Sequence, residues 1–406
     1  MALRIVGSIY ATAPLKQGLI DLFQEHTKLF SYIQAAGLPY STRVAVTSAK
    51  DSTATKCLIA SYNRPDLQNC EDFEREDENT KEMKIWEAGL ATSAAPFYFT
   101  PYQNPATQKD YVDGALYANC PASVALEEMD KIWPDGSASL DILLSVGTGI
   151  QKRDERPPAL LRFGGMEKVF ATFFRNLNTE GLWKTFIDSL GGKSVKNKLH
   201  RLNASITSDY ISLDEYRKMG DLDRLVHEQL REIDGKPTTL SSAVEKTAAT
   251  LIANLFFFEP NDHPSLIPVK SFPAIPNHQT TDLHRIPGTI RCRLAFESKE
   301  LKDVLEKIES FWYAEIPSDN TGSASVTSLL EPPPHSWEQI KGFTQMRSDI
   351  LANRKKRFRL PLSLKTWDRS EALLLVAVKV KGYEGRVPVS GFPVTLKEAQ
   401  RRAVLG

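Results

Sequence analysis

Ile85-Trp86-Glu87-Ala88-Gly89-Leu90-Ala91-Thr92-Ser93-Ala94-Ala95-Pro96-Phe97-Tyr98-Phe99 is the stretch from which the rest of this chain is read. Its composition predicts a helix over residues 84–93 that stops before Pro96, because proline lacks the amide proton and disfavours helical geometry in the residue ahead of it. Ala88, Gly89, Ala91, Thr92 and Ser93 are small, and a helix with small side chains can lie close against a sheet or another helix. Alone, that is a packing element.

The next segment downstream is Tyr111-Val112-Asp113-Gly114-Ala115-Leu116-Tyr117-Ala118-Asn119-Cys120-Pro121. It reads as a short strand ending in Asp-Gly, a common turn signal. A helix follows from Cys120-Pro121 through Glu128. Residues 141–146 form a mostly apolar strand that runs through Leu144-Ser145-Val146 into Gly147-Thr148-Gly149, where glycine permits positive φ or a close backbone approach. Upstream, residues 14–35 have the apolar spacing of short amphipathic helices. Arg43-Val44-Ala45-Val46-Thr47 and Cys57-Leu58-Ile59-Ala60-Ser61-Tyr62 have strand composition. Strands and helices alternating with tight loops predict an α/β layered fold with a mostly parallel sheet.

Taken in order, these elements resemble the patatin-like phospholipases, in particular their large fungal members. The matching residues are Ala91-Thr92-Ser93-Ala94-Ala95-Pro96 with its aromatic sequel, then Asp113-Gly114-Ala115, then Ser145-Val146-Gly147-Thr148-Gly149. Tyr10-Ala11-Thr12-Ala13-Pro14-Leu15 and Ser61-Tyr62-Asn63-Arg64-Pro65 are also similar to family segments. His200-Arg201-Leu202-Asn203 and Leu213-Asp214-Glu215 match less specifically, and Ser390-Gly391-Phe392-Pro393 is similar to the C-termini of some fungal relatives. The likeness covers residues 8–150, with a fainter trace to residue 258.

The resemblance implies a serine–aspartate dyad acting on acyl-ester lipids in the manner of a phospholipase A2, as part of lipid metabolism. Asp113 matches the aspartate that takes the serine's proton, within the motif Asp113, Gly114 and Ala115. A carboxylate is a poor base unless an apolar setting raises its pKa, and Val112, Ala115 and Leu116 can supply one. No cofactor and no metal is implied. The expected partner is a phospholipid or another acyl-ester lipid at a membrane surface. The family's nucleophile lies in Gly-x-Ser-x-Gly, which occurs nowhere among the 406 residues. Gly192-Lys193-Ser194 comes after Asp113, the wrong order, and is not followed by x-Gly. Leu90 stands where many relatives have arginine. The chain is therefore expected to be an N-terminally incomplete member, inactive as written, with apolar sheet surface near Ile142-Leu143-Leu144 left uncovered and prone to aggregation. The alternative is a non-catalytic lipid-binding or regulatory relative. A nucleotide-binding phosphate loop would rest only on Lys193-Ser194.

Bulk properties fit a multidomain globular protein. With 51 basic and 50 acidic residues the net charge is +1, which provides no overall field to attract nucleic acid. Cys57, Cys70, Cys120 and Cys292 are too scattered for a disulfide scaffold or a metal site, which suggests a reducing compartment. The longest apolar run, residues 372–378, is too short to span a bilayer, and the N-terminus lacks the apolar core of a signal peptide. The expected location is the cytoplasm, with peripheral membrane association as an option. Asn203-Ala204-Ser205 matches a glycosylation acceptor by its letters only. The acidic residues within 71–82 read as a solvated face. Arg354-Lys355-Lys356-Arg357 with Arg359 reads as a charged strand edge, an import signal or a lipid patch. The expected organisation is 1–160, the C-terminal half of the acyl hydrolase domain; 161–260, a helical extension; 261–285, a Pro-rich linker; and 286–406, a smaller β-containing domain with strands near 289–296, 357–364 and 373–380.

Overall fold

A computed structural model of the chain describes residues 8–30, 42–50, 55–64, 73–75, 80–133, 139–151, 179–191, 194–206, 215–231, 237–261, 284–316, 336–352, 356–366, 373–395 and 398–399. Nearly all of the Pro-rich linker, Lys193, and most of the acidic run within 71–82 lie outside the described residues. The protein is mixed α/β and divides into two compact units. The first draws its described residues from 1–138 and 150–189, the second from 139–149, 190–207 and 211–406.

The first unit contains helices α1 (Thr12–Phe23), α2 (Ile85–Thr92), α3 (Ala115–Ala118), α4 (Ala122–Ile132) and α5 (Thr179–Ser189), with strands β1 (Ala45–Lys50), β2 (Thr55–Ala60), β3 (Phe73–Glu74), β4 (Tyr102–Gln103) and β5 (Asp110–Asp113). The sheet order is β3-β2-β1-β5-β4. Here the strand directions depart from a mostly parallel sheet. β2 and β3 are parallel, whereas β1–β2, β1–β5 and β4–β5 are antiparallel. The cause lies in the chain. Only residues 51–54 separate β1 from β2, and a parallel pair needs a crossover of roughly a dozen residues or more.

α2 follows the expected helix closely. Glu87 Oε2 accepts the Lys84 amide at 2.8 Å and closes the first turn. Trp86, Ala88, Leu90 and Ala91 are buried in a cluster with Cys57, Ile59, Met83, Tyr102 and Tyr111. The small residues have the predicted use: the helix lies near enough to β1 for Thr92 Oγ1 to donate to Thr47 O at 2.6 Å. A buried ion pair ties the strands to α4, with Arg64 Nη2 2.5 Å from Glu128 Oε1 and side-chain exposures of 3% and 7%. Tyr62 also donates to Glu128, at 3.0 Å.

The second unit opens with β6 (Leu143–Val146), paired in parallel with β7 (Leu199–Leu202). α6 (Met219–Gln229) and α7 (Thr239–Ala253) follow, the latter capped by Thr238, whose Oγ1 accepts from Ser241 N at 3.1 Å. The helical extension expected over 161–260 is interrupted by β7, because Leu199 and Leu202 are used as rungs against Leu143 and Val146. Then come β8 (Phe256–Pro260), β9 (His284–Cys292), α8 (Lys299–Lys307), β10 (Ile308–Ile316), β11 (Trp337–Gln339), α9 (Phe343–Leu351), β12 (Arg359–Thr366), β13 (Leu373–Val380), β14 (Arg386–Pro388) and β15 (Val394–Thr395). They form the sheets β8-β9-β12 and β11-β10-β13-β14, with β15 on β13.

Both sheets feed one core, in which Ile286, Ile290, Leu301, Leu305, Phe311, Leu364 and Leu374 are buried. Phe256, Phe343 and Phe358 surround Phe311, with ring centroids 5.1, 5.1 and 5.9 Å from it. β8 brings Phe256 into this core, so the sheet starts ahead of residue 286. Arg359 lies on β12, an edge strand, as expected of a charged edge. Its neighbour Lys356 pairs with Asp349 at 2.5 Å. Near Ile142-Leu143-Leu144 the expected exposure is partial: Leu143 is 9% exposed, Leu144 39%, and Val146 69%.

Candidate active site around Asp113

Asp113 is the last residue of β5 and lies opposite Ser48 on β1. Its amide donates to Ala94 O at 3.0 Å, so the segment after α2 holds the strand end directly. Helix, strand and turn thus meet at one residue. That is why the small-residue helix and the Asp-Gly turn belong to one arrangement although they are separated in sequence.

Beyond Asp113 the chain turns at once. Ala115 N–H donates to Asp113 Oδ1 at 2.8 Å. Gly114 has an ordinary helical φ of −65°. Its need for glycine is therefore steric, since a Cβ there would stand 2.4 Å from both Thr47 O and Thr47 Oγ1. Two constraints on Thr47, the α2 hydroxyl of Thr92 and the bare face of Gly114, set the depth of the turn.

Val112 and Leu116, flanking Asp113 in the chain, are buried against Ala49, with Ala95, Ala115 and Tyr117 packed around them. Burial pushes the Asp113 carboxyl above the usual range, and the hydrogen bond from Ala115 N–H opposes this only in part. Among the described residues that amide is the one hydrogen-bond donor to the carboxylate, which leaves Oδ2 open to a proton.

The serine nearest in register is not a nucleophile. Ser48 is fully buried, and its hydroxyl donates to Val112 O at 2.7 Å. On β3 of the same sheet Glu74 takes the opposite electrostatic course. Burial pushes it up, but Lys109 at 2.5 Å and Lys50 at 2.9 Å override that and hold it below the usual range. Two carboxylates of one sheet are thus driven apart by their surroundings, and only Asp113 moves towards a base. Among the described residues no group of three His, Cys, Asp or Glu side chains converges as metal ligands would.

The third motif, Ser145-Val146-Gly147-Thr148-Gly149, belongs to the second unit, apart from the other two. Gly149 N–H donates to Asn203 Oδ1 at 2.7 Å, and a Cβ on Gly147 would meet that side chain at 2.3 Å. Asn203, whose letters matched a glycosylation acceptor, instead shapes this glycine turn. His200 next to it is buried, and burial with nearby Lys246 pushes its pKa down to about 4. Thr247 Oγ1 gives its proton to Ala243 O at 2.7 Å, so it accepts from His200 Nδ1–H at 3.0 Å and the ring is neutral. Reading the sequence missed Thr47, Ser48 and Asn203 as site-shaping residues. None has a local signal, because each acts on a partner far away in the chain.

Residues 2–126 match the patatin-like phospholipase family, and residues 285–404 match a domain of unknown function (DUF8392). The chain thus carries a patatin-like phospholipase domain at residues 2–126. It is similar to the calcium-independent phospholipase A2-gamma of Rattus norvegicus, with 42% identity over 76 residues, 18% of this chain and 9% of that protein. It is also similar to patatin-like protein 4 of Arabidopsis thaliana, 30% identical over 121 residues, 26% of this chain and 30% of that protein. The cGAMP-activated phospholipase of Vibrio cholerae is 27% identical over 146 residues, 35% of this chain and 36% of that protein. The chain therefore spans about a third or less of the length of these relatives.

Proposed function

We propose that residues 8–133 hold the base half of a serine–aspartate lipid acyl hydrolase site, with Asp113 taking the proton of a serine that attacks an acyl ester. Gly114 and Ala115 form the turn that aims it. The observation that carries this reading is the Asp113 carboxyl, raised by burial and still with one oxygen open among the described residues. That is what a carboxylate needs in order to act as a base near neutral pH. The names of the similar proteins favour a phospholipid as the acyl ester, and the reading takes that lipid to be met at a membrane surface. Among the described residues no helix is long and apolar enough to cross a membrane.

No Gly-x-Ser-x-Gly occurs in the 406 residues, and the Ser48 hydroxyl is committed to Val112. On this reading the polypeptide by itself has little or no hydrolase activity. The test is fluorophosphonate labelling and an esterase assay on the full chain and on Asp113→Asn. Neither should label or turn over. Robust activity that Asp113→Asn leaves intact would sink the dyad; activity abolished by Asp113→Asn would keep the dyad and sink the inactivity. A chain that sediments with phosphatidylcholine vesicles, and stays inert when joined to the serine-bearing segment of a patatin-like relative, is the non-catalytic lipid-binding relative instead.

A further inference from the structure

Asp141 stands two residues ahead of β6, and its carboxylate is gripped by groups from the far end of the chain. Ser390 Oγ donates to Oδ2 at 2.6 Å and Gly391 N–H donates to Oδ1 at 3.0 Å. Arg293 Nη2 lies 3.6 Å from Oδ2 and donates to Ser390 Oγ at 2.7 Å. The hydroxyl accepts from arginine, so its single proton is directed at Asp141.

Each member of this cradle is itself anchored. Arg293 Nε donates to Asn254 O at 3.2 Å, and its guanidinium lies 5.3 Å from the centre of the Phe257 ring. Ser390 N–H donates to Phe256 O at 2.9 Å. Gly391 has φ of +83°, the left-handed geometry glycine adopts without cost, and this turns its amide to the carboxylate. A cation, a hydroxyl and an amide converging in this way form a carboxylate-binding notch.

We propose that this notch is a latch: the region matched as a domain of unknown function grips Asp141 and thereby holds β6 and the Gly147–Gly149 turn in place. The opposite end of the same segment is held by Leu202 O and Asn203 Oδ1, which accept the Gly147 and Gly149 amides. β6 is thus pinned at both ends. The ion pair is the weaker part of the grip, since the Arg293 side chain is 53% exposed and Asp141 29%. The two charge-assisted hydrogen bonds are the stronger part.

The test is hydrogen exchange with peptide resolution on the full chain, its Asp141→Asn and Ser390→Ala variants, and the double variant. Either single substitution should raise exchange across residues 141–149 at least tenfold and leave residues 373–380 as in the wild type. The double variant should match the singles, because all three remove one latch. Arg293→Lys should change exchange less than either. Wild-type exchange over 141–149 in both single variants would overturn the proposal. So would singles whose effects multiply in the double, or an equal loss of protection over 373–380, which would mark the cluster as ordinary stability of the whole unit.

Discussion

The patatin-like region and the C-terminal β region hold themselves together by different means. In the first, strands run two to six residues and the apolar interior is broken into small clusters. Polar bonds do much of the joining there: Arg64 to Glu128, Ser48 to Val112, Thr92 to Thr47. In the second, β10 and β13 run nine and eight residues, and both sheets share a continuous core around Phe311. The contrast is one of means: small residues and specific hydrogen bonds fix single groups at a defined depth, whereas buried apolar area stabilises a unit as a whole and carries no recognisable motif.

Substitutions test this contrast, beginning with the largest effect. Phe311→Ala should cost the second unit about 3–5 kcal/mol by denaturant melting, because a fully buried aromatic leaves a cavity among Phe256, Phe343 and Phe358. A loss below about 1 kcal/mol would mean the core is not continuous. Arg64→Ala should cost the first unit somewhat less, about 2–4 kcal/mol, by leaving the buried Glu128 with only the Tyr62 hydroxyl and the half-exposed Lys131, 3.7 Å away, as partners. The joint replacement Arg64→Met with Glu128→Leu should restore most of it. If the pair proves as costly as the single, the ion pair is a stabiliser rather than a bond that is merely expensive to break.

His200 supplies a pH signature confined to the second unit. Its pKa falls to about 4 on folding, so between the unfolded value near ~6.5 and pH 4 the unfolded chain binds more protons. Stability should therefore fall as pH drops through that window, by up to roughly 3 kcal/mol. His200→Gln should flatten the pH dependence there; a profile unchanged by that substitution would assign the acid lability elsewhere. In the first unit, Gly114→Ala should cost about 1–3 kcal/mol by forcing the turn off Thr47, visible as a lower Tm. The smallest effect is at Asp113. Its raised pKa means that the stability it contributes is present below the unfolded pKa and lost as pH rises through the folded one. Asp113→Asn should accordingly raise Tm at pH 7 by a few degrees at most, and a fall in Tm would show that the charged form is what the fold prefers.

Much of the first region was legible because its signals are local. The helix over residues 84–93 is observed at Ile85–Thr92, and the strand ending at Asp113 is observed at Asp110–Asp113. α8 was equally legible and was passed over: Leu301, Val304 and Leu305 carry helical spacing, and Ser298 caps the start with Oγ accepting Leu301 N at 3.1 Å. β7 was not legible, because Leu199 and Leu202 become strand residues only through β6. The same holds for Ser48, whose letter says nothing of the strand it bonds.

By itself the sequence determined where Pro96 ends a helix, that Asp113-Gly114 turns the chain, and that residues 373–380 form a strand, since each depends on neighbours within a few residues. Tertiary structure alone decided the strand directions in the first sheet, the steric reason for Gly114, and the company of residues 139–149, which pack with the C-terminal region. These depend on atoms brought together across tens to hundreds of residues: Thr47 under Gly114, and Ser390 against Asp141. Local periodicity carries no record of such meetings, because the free energy that selects them arises only when the distant surfaces are in contact.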